Sequence, residues 1–169
     1  MPTGDLSARP REFRFAPLDT GPMQVRCSEV ADVTEGEPMI TDRIDPPGLL
    51  KIPEMVNVSV ATGTRMIHVS GQTSVGTDGK IIGSTHLEQG RNADRNLLVA
   101  LEAAGATLAD VAKVTTYVVD YSWEALEALL TAAKEVFGEA LPLTANTLVG
   151  VAALWLPGLL VEVEAVAIV

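Results

Sequence analysis

The sequence predicts an α+β domain, a mixed sheet with two helices on one of its faces. Two observations carry the prediction. Stretches with the two-residue period of strands alternate with stretches of helical period, in the order strands, helix, strand, helix, two strands. The strand-like stretches also carry apolar residues on both faces, so the face that the helices leave open needs a second partner. Self-association is the simplest supply, and oligomers usually close with point symmetry. With 169 residues, 47 % of them hydrophobic, the chain is long enough for one ordinary domain with a full core.

Residues 1–46 read as an N-terminal extension, partly ordered or packed at an edge. Seven of the ten prolines fall in the first fifty residues, among mixed charges with little periodicity, which blocks regular structure but permits extended packing. Within it, Met23 to Val30 is a candidate edge strand. The α+β domain occupies residues 47–169. Val56 to Thr62 and Met66 to Thr73 read as two strands joined as a hairpin at Gly63-Thr64. Thr77-Asp78-Gly79-Lys80 is a turn, with a short return strand at Ile81-Ile82. From Leu87 to Ala104, Leu97, Leu98, Leu101 and Ala104 recur at helical spacing, and Gly105 supplies the stop. The β-branched run Val111 to Val119 is a strand. Ser122 is the N-cap of a second helix that runs through Phe137 and ends at Gly138. Pro142 leads into a strand over Thr144 to Val151, and Pro157-Gly158 turns the chain into the last strand. There Val161, Val163, Ala165 and Ala167 share one face, and Leu160, Glu162, Glu164 and Val166 share the other.

Twelve basic against twenty-two acidic residues give a formal net charge of −10. Such a chain repels phosphate backbones and anionic membranes at long range, so neither nucleic acid nor membrane is an expected partner. The single cysteine, Cys27, and two histidines form no zinc-type cluster, so no metal and no cofactor are expected. The first eighteen residues lack an apolar signal-peptide run, and no stretch reaches the roughly 20 apolar residues of a membrane span. The expected location is cytoplasmic.

Carboxylates on an otherwise apolar strand call for an explanation: either bulk water solvates Glu162, or Glu162 lines a cleft where desolvation raises its pKa for proton transfer. Three collinear stretches favour the cleft. IHVSGQTSVGTDGKIIG (Ile67 to Gly83), RNADRNLLVALEAAGATLADVAKVTTYVVD (Arg91 to Asp120) and ANTLVGVAALWLPGLLVEVEAVAIV (Ala145 to Val169) together resemble the Rid family, the YjgF-type reactive-intermediate deaminases. The resemblance runs from about Pro46 to Val169. It implies a chorismate-mutase-like fold and a homotrimer with small-molecule clefts at the subunit interfaces. In deaminating members of that family, water adds to the C=N bond of a 2-imino acid and ammonia leaves. A cleft arginine holds the carboxylate, a tyrosine packs nearby, a glycine backbone adds polar contacts, and a strand glutamate helps place the water.

Transferred position by position, the resemblance puts the glycine at Gly71 and the glutamate at Glu162, which become the catalytic candidates. The arginine falls on Asn146, in Thr144-Ala145-Asn146-Thr147, and the tyrosine falls on Asn57. The chain thus resembles an arginine-lacking branch. An amide supplies neither the charge nor the fork of a guanidinium, and losing one charge-assisted hydrogen bond costs roughly 1.5 to 3 kcal/mol. A less anionic imine, enamine or unsaturated intermediate is the expected substrate, with Asn146, Asn57, Thr147, Ser70 and Thr73 as binding residues. The alternative is a trimeric small-molecule-binding protein without deaminase chemistry.

Other side chains carry blander readings. Arg91 and Arg95 most simply pair on the surface with Glu88 or Asp94, and Arg65 is the better substitute for the missing clamp. His68 reads as a packed or hydrogen-bonded strand residue and His86 as a solvent-exposed loop residue. Trp123 and Trp155 read as packing aromatics, Cys27 as a small buried or edge residue, and Glu164 as structural. No nucleophile elbow supports serine-hydrolase chemistry.

Overall fold

The structure is a computed structural model that describes residues 40–138, 141 and 143–169. The candidate edge strand Met23 to Val30 and Cys27 lie outside the described residues. Six strands and two helices follow in the order β1 (Ile40–Ile44), β2 (Val58–Ala61), β3 (Met66–Thr73), α1 (His86–Ala103), β4 (Val111–Val119), α2 (Trp123–Phe137), β5 (Ala145–Val151) and β6 (Val161–Ile168). The main sheet has the strand order β3-β6-β4-β5, with β4 and β5 parallel and the other pairs antiparallel. Both helices pack on one face of it, so the α+β expectation holds.

Each helix starts where its capping side chain stands. Thr85 accepts from the Glu88 amide while the Glu88 carboxylate accepts from the Thr85 amide, a reciprocal capping box at the head of α1. Ser122 accepts from the Ala125 amide at the head of α2. Gly105, at φ +74°, ends the first helix in a conformation that costs other residues more.

The helix-side core is built from alternate strand residues, among them Val114, Val118, Val161, Val163 and Ala165, packed against Ala93, Leu97 and Leu101 of α1. Full burial of one such aliphatic side chain contributes about 1.5 to 3 kcal/mol. α1 lies against β3 and β6, whereas α2 is held chiefly by α1. At Gly90 a Cβ would stand 2.9 Å from Leu129 and 3.0 Å from Ala132, so the two helices meet at a spacing that only glycine permits. Gln89, fully buried, ties α1 to the last turn: its Nε2 donates to Gly83 O (3.3 Å) and Gly158 O (3.0 Å), and its Oε1 accepts from Leu160 N (2.8 Å).

Two local expectations are corrected. β2 and β3 do not form a hairpin: β2 pairs with β1, and β3 pairs with β6. Around Gly63-Thr64 the amides of Thr64 and Arg65 donate to Val169 O, at 2.9 and 2.7 Å, so the turn ties to the end of the last strand rather than closing on itself. The return strand at Ile81-Ile82 is a single bridge between Val75 and Ile81. Before Pro46, Ile40–Ile44 forms the antiparallel partner of β2.

Candidate active site on the open sheet face

β6 alternates buried and half-buried residues, which sends Glu162 and Glu164 to the face without helices. In the antiparallel register Tyr117 stands opposite Glu162 and Thr115 opposite Glu164, so β4 delivers its polar side chains to the same face. On the other flank the β3 register shifts between Val69 and Gln72, a bulge that contains Gly71. A Cβ at Gly71 would overlap the Glu162 carboxylate, so the absence of a side chain there makes room for it. The structure therefore joins Gly71 and Glu162, which the sequence singled out together.

The electrostatics of this face are mutually coupled. Partial burial, and after it the charge of Glu164, pushes the Glu162 carboxyl above the usual range. Tyr117 donates its hydroxyl to Glu164 at 3.0 Å, and that bond raises the phenol in turn. Lys113 donates to Thr147 Oγ1 at 2.5 Å and to Val114 O at 2.9 Å. Burial lowers its ammonium pKa, while Glu164 opposes the shift. On the same face, beside Glu162, a pocket of about 260 Å³ is lined by His68, Ser70, Lys113, Thr115 and Glu164, while Glu162 and Gly71 stand outside its lining. Glu164 is thus a member of the polar cluster rather than only a structural carboxylate. Lys113 and Tyr117 were missed in the sequence, although both sit at alternate positions of the strand read over Val111 to Val119. His68 is exposed on this face, and His86 is not a loop residue: it opens α1, half buried, with its ring Nε2 2.8 Å from Val119 O.

The remaining candidates divide by location. Ser70 and Thr147 share the open face with Glu162, whereas Thr73 is buried and its carbonyl accepts from Asn96. Asn57 has its amide committed to Asp45 Oδ1 and Leu50 O, both at 3.0 Å, in the loop beside β1. Asn146 pairs in register with Val114, which places it on the helix face, across the sheet from Glu162. Its Oδ1 is buried with no hydrogen-bond partner among the described residues. None of the three arginines reaches the open-face pocket. Arg91 makes a two-pronged pair with Glu135 of α2, not with Glu88 or Asp94, Arg65 donates to Ala104 O at 3.3 Å, and Arg95 approaches Asn92 Oδ1 at 3.5 Å.

The helix side holds a larger space. Between α2 and the β4–β5 half of the sheet lies a cavity of about 680 Å³ with a mainly apolar lining, into which Asn146 and Asp94 also face. Burial drives the Asp94 carboxyl up to about 7. Among the described residues no group of three or more His, Cys, Asp or Glu side chains could hold a metal, and no helix is long and apolar enough to cross a membrane.

A family model described as endoribonuclease L-PSP matches residues 53–169. A solved structure of the Rid protein YyfB from Yersinia pestis, described as of unknown function, is 33 % identical and superposes with a TM-score of 0.68, covering 76 % of this chain and 98 % of its own. The chain belongs to the Rid family. The Rid chain is also similar to Rv2704 of Mycobacterium tuberculosis, a YjgF/YER057c/UK114 member, at 32 % identity and TM-score 0.51, over 69 % of this chain and 88 % of that one. A putative endoribonuclease from Thermotoga maritima matches at 26 % identity and TM-score 0.54, over 79 % and 98 %. No curated protein matches this Rid chain significantly. Family membership supports a deaminase-like or small-molecule-binding role, and members of the family are usually trimeric.

Proposed function

We propose that this Rid protein adds water to the C=N bond of a reactive imine, formed directly or from an enamine, and releases ammonia and a carbonyl compound. The observation that carries the reading is the Glu162 carboxylate seated over Gly71, partly desolvated and with its pKa raised. A carboxyl of that kind takes a proton from water as its oxygen bonds to the imine carbon, and returns one to the departing nitrogen. The balance is one imine plus one water giving one carbonyl and one ammonia. Ser70 and Thr147 flank the site as hydrogen-bonding residues, and Lys113 offers the cation that Asn146 cannot. The open sheet face becomes an enclosed cleft when a second subunit covers it, which fits the homotrimer as the working assembly.

The test is ammonia release from imines generated in situ by an amino-acid oxidase, measured for wild type and Glu162→Gln. The expected result is a loss of at least about a hundredfold in kcat, the scale of a general acid–base contribution, with the assembly unchanged in sedimentation. Equal rates would remove Glu162 from the chemistry. A second reading, binding without turnover, is favoured by one observation: the residue at the position of the family arginine faces away from Glu162. Under it, wild type releases no ammonia above background from any imine, yet a ligand raises its thermal stability.

A further inference from the structure

The helix-side cavity carries a chemical signature of its own, on the opposite face of the sheet from Glu162. At about 680 Å³ it has the size of a small-molecule site, and its walls are mainly aliphatic and aromatic. Its ionisable lining is one-signed: Asp94 from α1 and Glu54 from the loop before β2 face it, and no Lys, Arg or His does among the described residues. The third polar feature is Asn146, whose Oδ1 is a buried acceptor without a donor. A buried acceptor left unpaired is costly, and a ligand donor can recover that cost. Tyr121 and Trp123 also line the cavity, and they are 44 % and 73 % exposed, so both stand where the cavity meets solvent. Aromatic faces attract cations, and the net charge of −10 draws cations toward the molecule.

From this arrangement we infer that the cavity between α2 and the β4–β5 half of the sheet is a binding site for an apolar amine. The hydrocarbon or aromatic body occupies the apolar interior, and the ammonium N–H groups donate to Asp94 and toward Asn146. Carboxylates are rejected there, because Asp94 and Glu54 repel them and no cation answers. Binding is strongest where Asp94 is ionised, above its pKa of about 7. Glu54 and Tyr121 are the other titratable side chains facing the space; α2 and the three strands behind it contribute none among the described residues.

The full chain is titrated with three probes that share a phenylethyl body, 2-phenylethylamine, 2-phenylethanol and 3-phenylpropionate, following tryptophan fluorescence and thermal stability at pH 5.5 and pH 8. The amine is expected to bind at least about tenfold more tightly than either competitor at pH 8, and to lose that advantage at pH 5.5, while the alcohol is indifferent to pH. Asp94→Asn should remove the tenfold preference and leave the alcohol unaffected. If that variant does not fold, wild type decides the matter, because only the amine's affinity, and not the alcohol's, is expected to fall between pH 8 and pH 5.5. Carboxylate binding equal to that of the amine overturns the inference, as does an amine preference unchanged in Asp94→Asn, or the absence of binding by all three. Ammonia release is not the readout, so the outcome is independent of the chemistry proposed for Glu162.

Discussion

Two carboxylates on opposite faces of one sheet are both shifted upward, for different reasons. Glu162 is shifted by partial burial and by Glu164, and stays open to a substrate, whereas Asp94 is shifted by burial alone. For Asp94 the shift is a statement about stability. A carboxyl near 3.8 in the unfolded chain and near 7 in the folded one favours folding while it is protonated in both states or in the folded state only. That advantage is fully present below about pH 4 and disappears as pH rises through 7, an effect of up to about 4 kcal/mol. Stability measured in urea should therefore fall between pH 5 and pH 8 in wild type, and Asp94→Asn should flatten that fall. Identical slopes would mean that water reaches the carboxyl. The sequence did contain the signal: Gly90, Asp94, Leu97 and Leu101 follow a four-three-four spacing, which puts Asp94 on the buried stripe of α1. Reading it as a partner for Arg91 relied on neighbouring charges and overlooked that stripe. Glu162 was legible because its strand alternates cleanly, whereas the face of Asn146 was not. β5 carries apolar residues on both sides, and only its parallel register with β4 decides between them.

Elements with local stop and start signals were read almost to the residue. The end of α1, both ends of α2 and the whole of β4 depend on Gly105, Ser122, Gly138 and a β-branched run, all of which act within a few positions, whereas the Thr85 cap of α1 was not read. Gly63-Thr64 carried an equally clear local signal for a hairpin and did not make one. Its amides find Val169, more than a hundred residues along, and no short-range rule reports a competitor that distant. Capping energetics are testable at this scale. Thr85→Ala removes the acceptor for the Glu88 amide and half of the reciprocal box, so it should destabilise the protein by about 1 kcal/mol in urea denaturation without altering its far-ultraviolet spectrum. A change below about 0.3 kcal/mol would show that water caps the helix equally well.

For the whole molecule the unresolved demand is the uncovered face. Both helices lie on one side of the four-stranded sheet, and the other side displays Tyr117, His68, Glu162 and Glu164 together with the exposed Met66 and Val149. A face that mixes a polar cluster with apolar edges suits a partner of its own kind. Sedimentation of the full chain should give a particle of three chains, and a monomer at micromolar concentration would break the link between fold and site. The strand order has a consequence in time as well. β6 lies between β3 and β4, yet it follows every other strand along the chain. While a ribosome is making this protein, β3 and β4 have no common neighbour until residues 161–168 emerge, and the apolar stripe of α1 has no finished surface to meet. The nascent domain must wait, half formed and adhesive, for its keystone to arrive last.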